Sequence, residues 1–418
     1  MKTWLSCTLA AIIGFTAAWV LGSYAFFDTF IGYATGILLN IGTFILLPLV
    51  FVTLMAATGS LRKDKGTIGP VFLVSTAWSI FTALVLSLLA GIAFILIPND
   101  FPMITGTQFS TDTSLASSLK TSMQSMFSRY NPLANSPFMN LIISPSWLLP
   151  VAFTAFVFGF AMKPDNDAIK PAYAVMNSFS EIMYRMSHFM ASICWLFVAF
   201  YSAYWFKNLK SSGLLDIPNF FFFTIIAVAA AVCIVIPLLF WCFTGFKGNP
   251  YRLIPRAIAS SMLGLFSGNL LFPLTGVYHL NRKNLGIQKR VVSATMPFST
   301  FFTRGGTAMI STICLCALCT RANIAILDIR SIALIACSCT LYSLLCSMNL
   351  GFETIFVIAL ASEMLGFDLG GIELLALGAL PIINGLGTFV DMVLSSLGCY
   401  ASAKAVDSVI KVPYRETL

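Results

Sequence analysis

Between Lys247 and Thr307 the sequence carries two apolar runs that a straight membrane-spanning helix cannot accommodate. The first, Ile258 to Leu280, holds Gly264, Gly268, Pro273 and Gly276, which weaken or interrupt a helix near its middle. Lys247, Arg252 and Arg256 precede it, and Arg282, Lys283, Lys289 and Arg290 follow it. Basic residues gather in short cytoplasmic loops, so both ends belong on one side and the run reads as a re-entrant helical hairpin. The second run follows at once. Pro297 and then Thr303-Arg304-Gly305-Gly306-Thr307 put a charge and two glycines deep inside an apolar stretch. Non-helical backbone at membrane depth is tolerated only inside protein or beside a water-filled cavity, and broken helices of this kind build transporter binding sites.

The rest of the chain fits that setting. It has 418 residues, 58% hydrophobic and only 10% charged, which is far more apolar than a soluble domain and indicates an all-α polytopic membrane protein. A bilayer core of about 30 Å needs about 20 apolar residues per helix. On that scale six spans precede the hairpin: Thr3 to Phe27, Tyr33 to Gly59, Val71 to Ile97, Trp147 to Met162, Tyr173 to Phe206 and Phe221 to Phe246. The broken seventh runs from Val291 to Thr320. Ile332 to Gly366, polar in its middle at Asn349, Gly351 and Glu353, reads as a second hairpin entering from the opposite side, so the two hairpins form an inverted pair. An eighth span, Ile372 to Ala403, is interrupted by glycines. A polar outer loop fills Asn99 to Ser146. Met1 to Phe27 is too long for a signal peptide and has no clear small-residue cleavage site, so it reads as the first span.

The formal charge of +8 reflects topology rather than nucleic acid. Lys2, Arg62, Lys63, Lys65, Lys163, Lys170, Lys404, Lys411 and Arg415 join the basic residues around the first hairpin on one side, which places both termini in the cytoplasm. The eleven cysteines lie almost all in apolar runs and read as small packing residues. A metal site at Cys314, Cys316 and Cys319 lacks acidic neighbours, and the chain has only His188 and His279 to add. Glu181 and Arg185, four residues apart, are spaced to pair on one helical face near the cytoplasmic end of span five.

Two segments, GNPYRLIPRAIASSML and LGIQKRVVSATMPFSTFFTRGGTAM, resemble the dicarboxylate/amino acid:cation symporter family, the glutamate transporter superfamily. Its members have a serine-rich hairpin, an NLG-x-x-x-R-V run and an LPLGATINMDGTA motif. Here SGNLLFPLTG (Ser267 to Gly276) stands at the serine-rich tip and TRGGT (Thr303 to Thr307) at NMDGT. The resemblance implies eight transmembrane helices plus two re-entrant hairpins in a glutamate-transporter-like fold with inverted repeats. It also implies a homotrimer in the inner membrane, with residues 1–246 mainly as scaffold and 247–418 as the transport core, spans three and six being able to move with it. In span eight, aligned on Thr388, Leu380 and Asn384 replace the two acids, Gly387 the substrate arginine, Asp391 the asparagine and Ser395 the final aspartate. Both acidic sodium ligands are thus missing, at Gly305 and Ser395.

Arg304 is the sharpest single feature. A charge at the centre of a span costs about 2.5 to 3.5 kcal/mol on insertion scales, so it needs a cavity or a partner. It either binds a carboxylate of the solute, the arginine having moved from span eight to span seven and left the place at Gly387 vacant, or it forms a structural ion pair, with Asp391 as the nearest prospect. The candidate solute site comprises Arg304, Gly306, Thr307, Asn384, Thr388 and Asp391, with the hairpin tips at Asn269 and Asn349. Asp391 and Glu353 are the candidate proton carriers. The expected activity is secondary transport of a small anionic or zwitterionic solute, an acidic amino acid or C4-dicarboxylate, by a proton-coupled carrier or an obligate exchanger rather than a sodium symporter, and without a cofactor. A passive anion channel, or an exchanger of another amino acid, is the competing class. An enzyme has no nucleophile–base pair or metal-ligand spacing to build on.

Overall fold

A computed structural model describes residues 3–22, 24–63, 67–99, 101, 148–162, 167–211, 218–246, 249–322, 324, 328–345, 353–367, 375–410 and 412–413. Nearly all of them are helical: α1 (Thr3–Leu21), α2 (Ala25–Lys63), α3 (Ile68–Leu96), α4 (Leu148–Ala161), α5 (Lys170–Ser192) and α6 (Cys194–Ser211). Next come α7 (Pro218–Ala230), a π-helical turn at Ala231–Val235 and α8 (Ile236–Phe243), then α9 (Ile254–Ser267), α10 (Leu271–Leu285), α11 (Lys289–Phe302) and α12 (Gly305–Arg321). The last three are α13 (Ile329–Leu345), α14 (Glu353–Leu365) and α15 (Leu375–Ala405). Almost all of the outer loop, the second hairpin's expected tip at Asn349 and Gly351, and Lys2, Lys65, Lys163, Lys247, Lys411 and Arg415 lie outside the described residues.

Both interruptions around the first hairpin fall where the sequence puts them. α9 stops at Gly268, whose φ of 60° is the left-handed conformation that glycine adopts without strain, and α10 starts three residues later. The two helices pack on each other, giving a helix–turn–helix. α11 and α12 are separated by Thr303 and Arg304 alone. α13 and α14 likewise pack together.

Among the described residues, four helical stretches are long and apolar enough to cross a membrane: α2, α3, α7 with α8, and α15. The pair α5 and α6 would make a fifth. The shorter apolar helices α1, α4, α12 and α13 carry more of the same pattern. α15 is the axis of the molecule, with 89% of its apolar window buried against 38% for α2. It packs on α9, α11, α12, α14 and α3, while α1 packs chiefly on α6, and α2 on α4, α5 and α11. α3 joins the core through two hydroxyl pairs and one indole: Ser79 meets Thr303 at 2.7 Å, Ser87 meets Thr312 at 2.7 Å, and the Trp78 indole donates to the Leu394 carbonyl at 3.0 Å. Small polar side chains allow this close helix approach without the desolvation of larger groups.

Three expectations are corrected. Span five is not one helix but two, bent by 50° at Ile193, where the polar, amphipathic α5 gives way to the aromatic, apolar α6. Glu181 pairs with Lys289 of α11 at 2.8 Å, and Arg185 acts on it only from further away. A tertiary partner has displaced the local one. Finally, α15 runs unbroken through Pro381, Gly385 and Gly387. Its glycines serve packing: a Cβ on Gly385 would collide with the Leu265 carbonyl and stand 3.0 Å from Trp205 Nε1.

Candidate functional site

The break between α11 and α12 is the centre of the site. Arg304 takes the N-cap position of α12 at φ −117° and ψ 30°, and its carbonyl accepts from Ala308 N–H at 2.9 Å. A helix start leaves N–H groups without intrahelical acceptors. Asp391, wholly buried on α15, meets them. Its carboxylate accepts from Gly306 N–H at 2.6 Å, Thr307 N–H at 3.2 Å and the Thr307 hydroxyl at 2.6 Å. A carboxylate facing the positive end of a helix, with charge-assisted hydrogen bonds, is a strongly favourable arrangement.

The two chains of backbone come unusually close here. A Cβ on Gly306 would collide with the Gly387 carbonyl and lie 2.6 Å from Val390 Cβ, and one on Gly387 would lie 3.3 Å from Thr307 Cα. The place expected to be vacant at Gly387 is therefore filled by the first turn of α12, and no large side chain fits at either glycine. Gly306→Ala is expected to destabilise the protein by about 3 kcal/mol, at the upper end of the overpacking range. A melting curve in detergent checks this, and an unchanged midpoint contradicts it.

Arg304 is 1% exposed, and Nη1 lies 3.6 Å from Glu353 Oε1 at the start of α14. The direct ion pair is thus with Glu353, where Asp391 was the expected partner, although Asp391 lies within electrostatic reach of the guanidinium. Asn384 of α15 supports the pair. Its Nδ2 donates to Glu353 Oε2 at 3.5 Å, and its Oδ1 accepts from Thr354 N–H at 3.2 Å and from the Thr354 hydroxyl. The first hairpin's turn closes on the same region, since a Cβ on Gly268 would lie 3.5 Å from the Pro381 carbonyl and 3.7 Å from Asn384 Cβ. Asn269, beside it, is buried, and its N–H reaches Ser267 Oγ at 3.4 Å. Thr388 Oγ1 donates to the Gly264 carbonyl at 2.7 Å, tying α15 to α9.

Of the eight residues singled out from sequence, the structure gathers Arg304, Gly306, Thr307, Asn384, Thr388, Asp391 and Asn269 around one stretch of α15, while Asn349 lies outside the described residues. Thr354, and the role of Glu353 as arginine partner, were missed. The one signal, an acid stranded in apolar sequence opposite a stranded arginine, applied to Glu353 and Asp391 alike. No group of three or more His, Cys, Asp or Glu able to hold a metal occurs among the described residues. The donors around Asp391 are N–H and O–H groups, and Gly305 packs against Leu394 and Ala83.

A family model described as "Sodium:dicarboxylate symporter family" matches residues 3–405. The chain belongs to that family. This symporter-family chain is accordingly a secondary transporter and a multi-pass membrane protein, not an enzyme. No curated protein matches it.

Proposed function

We propose that the chain carries an acidic amino acid or C4-dicarboxylate across the inner membrane by alternating access, coupled to protons rather than to sodium. The observation that carries this reading is the buried Arg304–Glu353 pair at the break between α11 and α12. An arginine offers a planar fork that suits a carboxylate, and Glu353 holds it in the absence of solute. A solute carboxylate that takes the guanidinium must displace Glu353, and a displaced buried carboxylate is most stable with a proton. Solute and proton therefore bind together. Sodium has no corresponding place, because the family's two acidic ligand positions are Gly305 and Ser395 and a hard cation gains most from carboxylate oxygens.

In this reading eight spans and two opposed re-entrant hairpins make up the fold. Helices α1 to α8 are mainly the scaffold of a homotrimer with both termini in the cytoplasm, and α9 to α15 are the moving core. The packing of α3 on α12, α13 and α15 supports its moving with that core. Uptake of labelled aspartate and succinate into proteoliposomes tests the coupling. Replacing a sodium gradient by choline is expected to leave the rate unchanged, and an inward proton gradient to raise it several-fold. An absolute requirement for sodium would overturn the proposal.

A further inference from the structure

The two histidines of the whole sequence meet each other. His188 of α5 and His279 of α10 bring Nδ1 and Nε2 within 3.0 Å, with ring centroids 4.3 Å apart and planes at 45°. A head-on N–H···N bond would hold the centroids further apart, so the rings are folded toward one another. The contact is anchored beside the rings, where His279 N–H reaches Ser187 Oγ at 3.3 Å. It joins α5 to the second arm of the first hairpin, and neither histidine belongs to the Arg304 site.

We propose that His188 and His279 form a two-imidazole site for a zinc-class transition-metal ion that ties α5 to α10. Two nitrogens bound to one tetrahedral zinc at about 2.0 to 2.1 Å stand about 3.3 Å apart, so the pair needs to open by only a few tenths of an ångström. His188 is exposed and His279 half-buried, so one side of the pair is left uncovered for further ligands. Imidazole selects zinc, nickel and copper over magnesium and calcium. Arg282 and Lys283 act electrostatically on His279, and Arg185 lies one turn before His188. These charges oppose a dication and weaken its binding.

Zinc titration of the untagged, detergent-solubilised protein against a chromogenic chelator tests this directly. One zinc ion per chain is expected, held about tenfold or more weakly in both His188→Ala and His279→Ala. Zinc should also raise the melting temperature of the wild type and of neither variant, since a ligand of the folded state stabilises it by mass action. His188 is exposed, so its variant keeps the test valid even if His279→Ala fails to fold. Wild-type zinc affinity in His188→Ala or in a folded His279→Ala, or no binding by the wild type at millimolar zinc, would each overturn the site. None of these readouts depends on solute or coupling ion, so failure here is distinct from failure of the proposed transport activity.

Discussion

Replacing Arg304 by methionine is expected to lower stability by about 3 to 5 kcal/mol, because it removes the ion-pair partner of a carboxylate that stays buried. Glu353→Gln should cost less, since the amide keeps an acceptor for Asn384 while the guanidinium loses its counter-charge. The double change, Arg304→Met with Glu353→Gln, leaves no net charge in the pair and is expected to recover most of the loss. Buried ion pairs are often replaceable in this way because desolvation cancels much of their attraction. The double variant then separates structure from function. If Arg304 takes the solute carboxylate, the folded double variant binds aspartate and succinate at least about tenfold more weakly, a loss of about 1.4 kcal/mol or more. Unchanged affinity in that variant would remove Arg304 from the solute site and leave it as a structural charge. Arg304→Lys sharpens the point, since it keeps the charge and loses the two-pronged geometry.

The parts of the site legible in the sequence are those where one residue type has one physical meaning. Gly268 ends α9 because only glycine adopts its backbone angle cheaply, and the stranded charge of Arg304 marks the break between α11 and α12, although the two glycines after it are helical. What remained hidden was who meets whom. Asp391 and Glu353 are both acids embedded in apolar sequence, and nothing in their spacing says which one faces the guanidinium and which the helix start. The same limit explains Glu181, for which a local partner at four residues was visible and the better one, Lys289, was not. Gly385 and Gly387 could equally have broken a helix or admitted a neighbour. They do the second, because the collisions they avoid come from backbone far away in sequence. The bend at Ile193 has no proline or glycine to mark it, and its only trace is the change from the polar face of α5 to the aromatic residues of α6.

Asp391→Leu is expected to be as damaging as the loss of Arg304, about 3 to 5 kcal/mol, although its mechanism differs. The leucine fits the apolar surroundings, but it leaves Gly306 N–H, Thr307 N–H and the Thr307 hydroxyl buried with no acceptor, each costing about 1 to 3 kcal/mol before relaxation. Asp391→Asn keeps one acceptor oxygen and loses the charge that faces the start of α12, so about 1 to 2 kcal/mol is expected. Unfolding in detergent orders the three proteins as wild type, Asn, Leu. Sodium decides what the carboxylate is for. A carboxylate engaged by helix N–H and hydroxyl donors is a structural cap, so sodium should shift the melting temperature of wild type and Asp391→Asn equally or not at all. A sodium-dependent rise confined to the wild type would mean that Asp391 turns its oxygens to a cation, and the sodium-independent mechanism would fall with it.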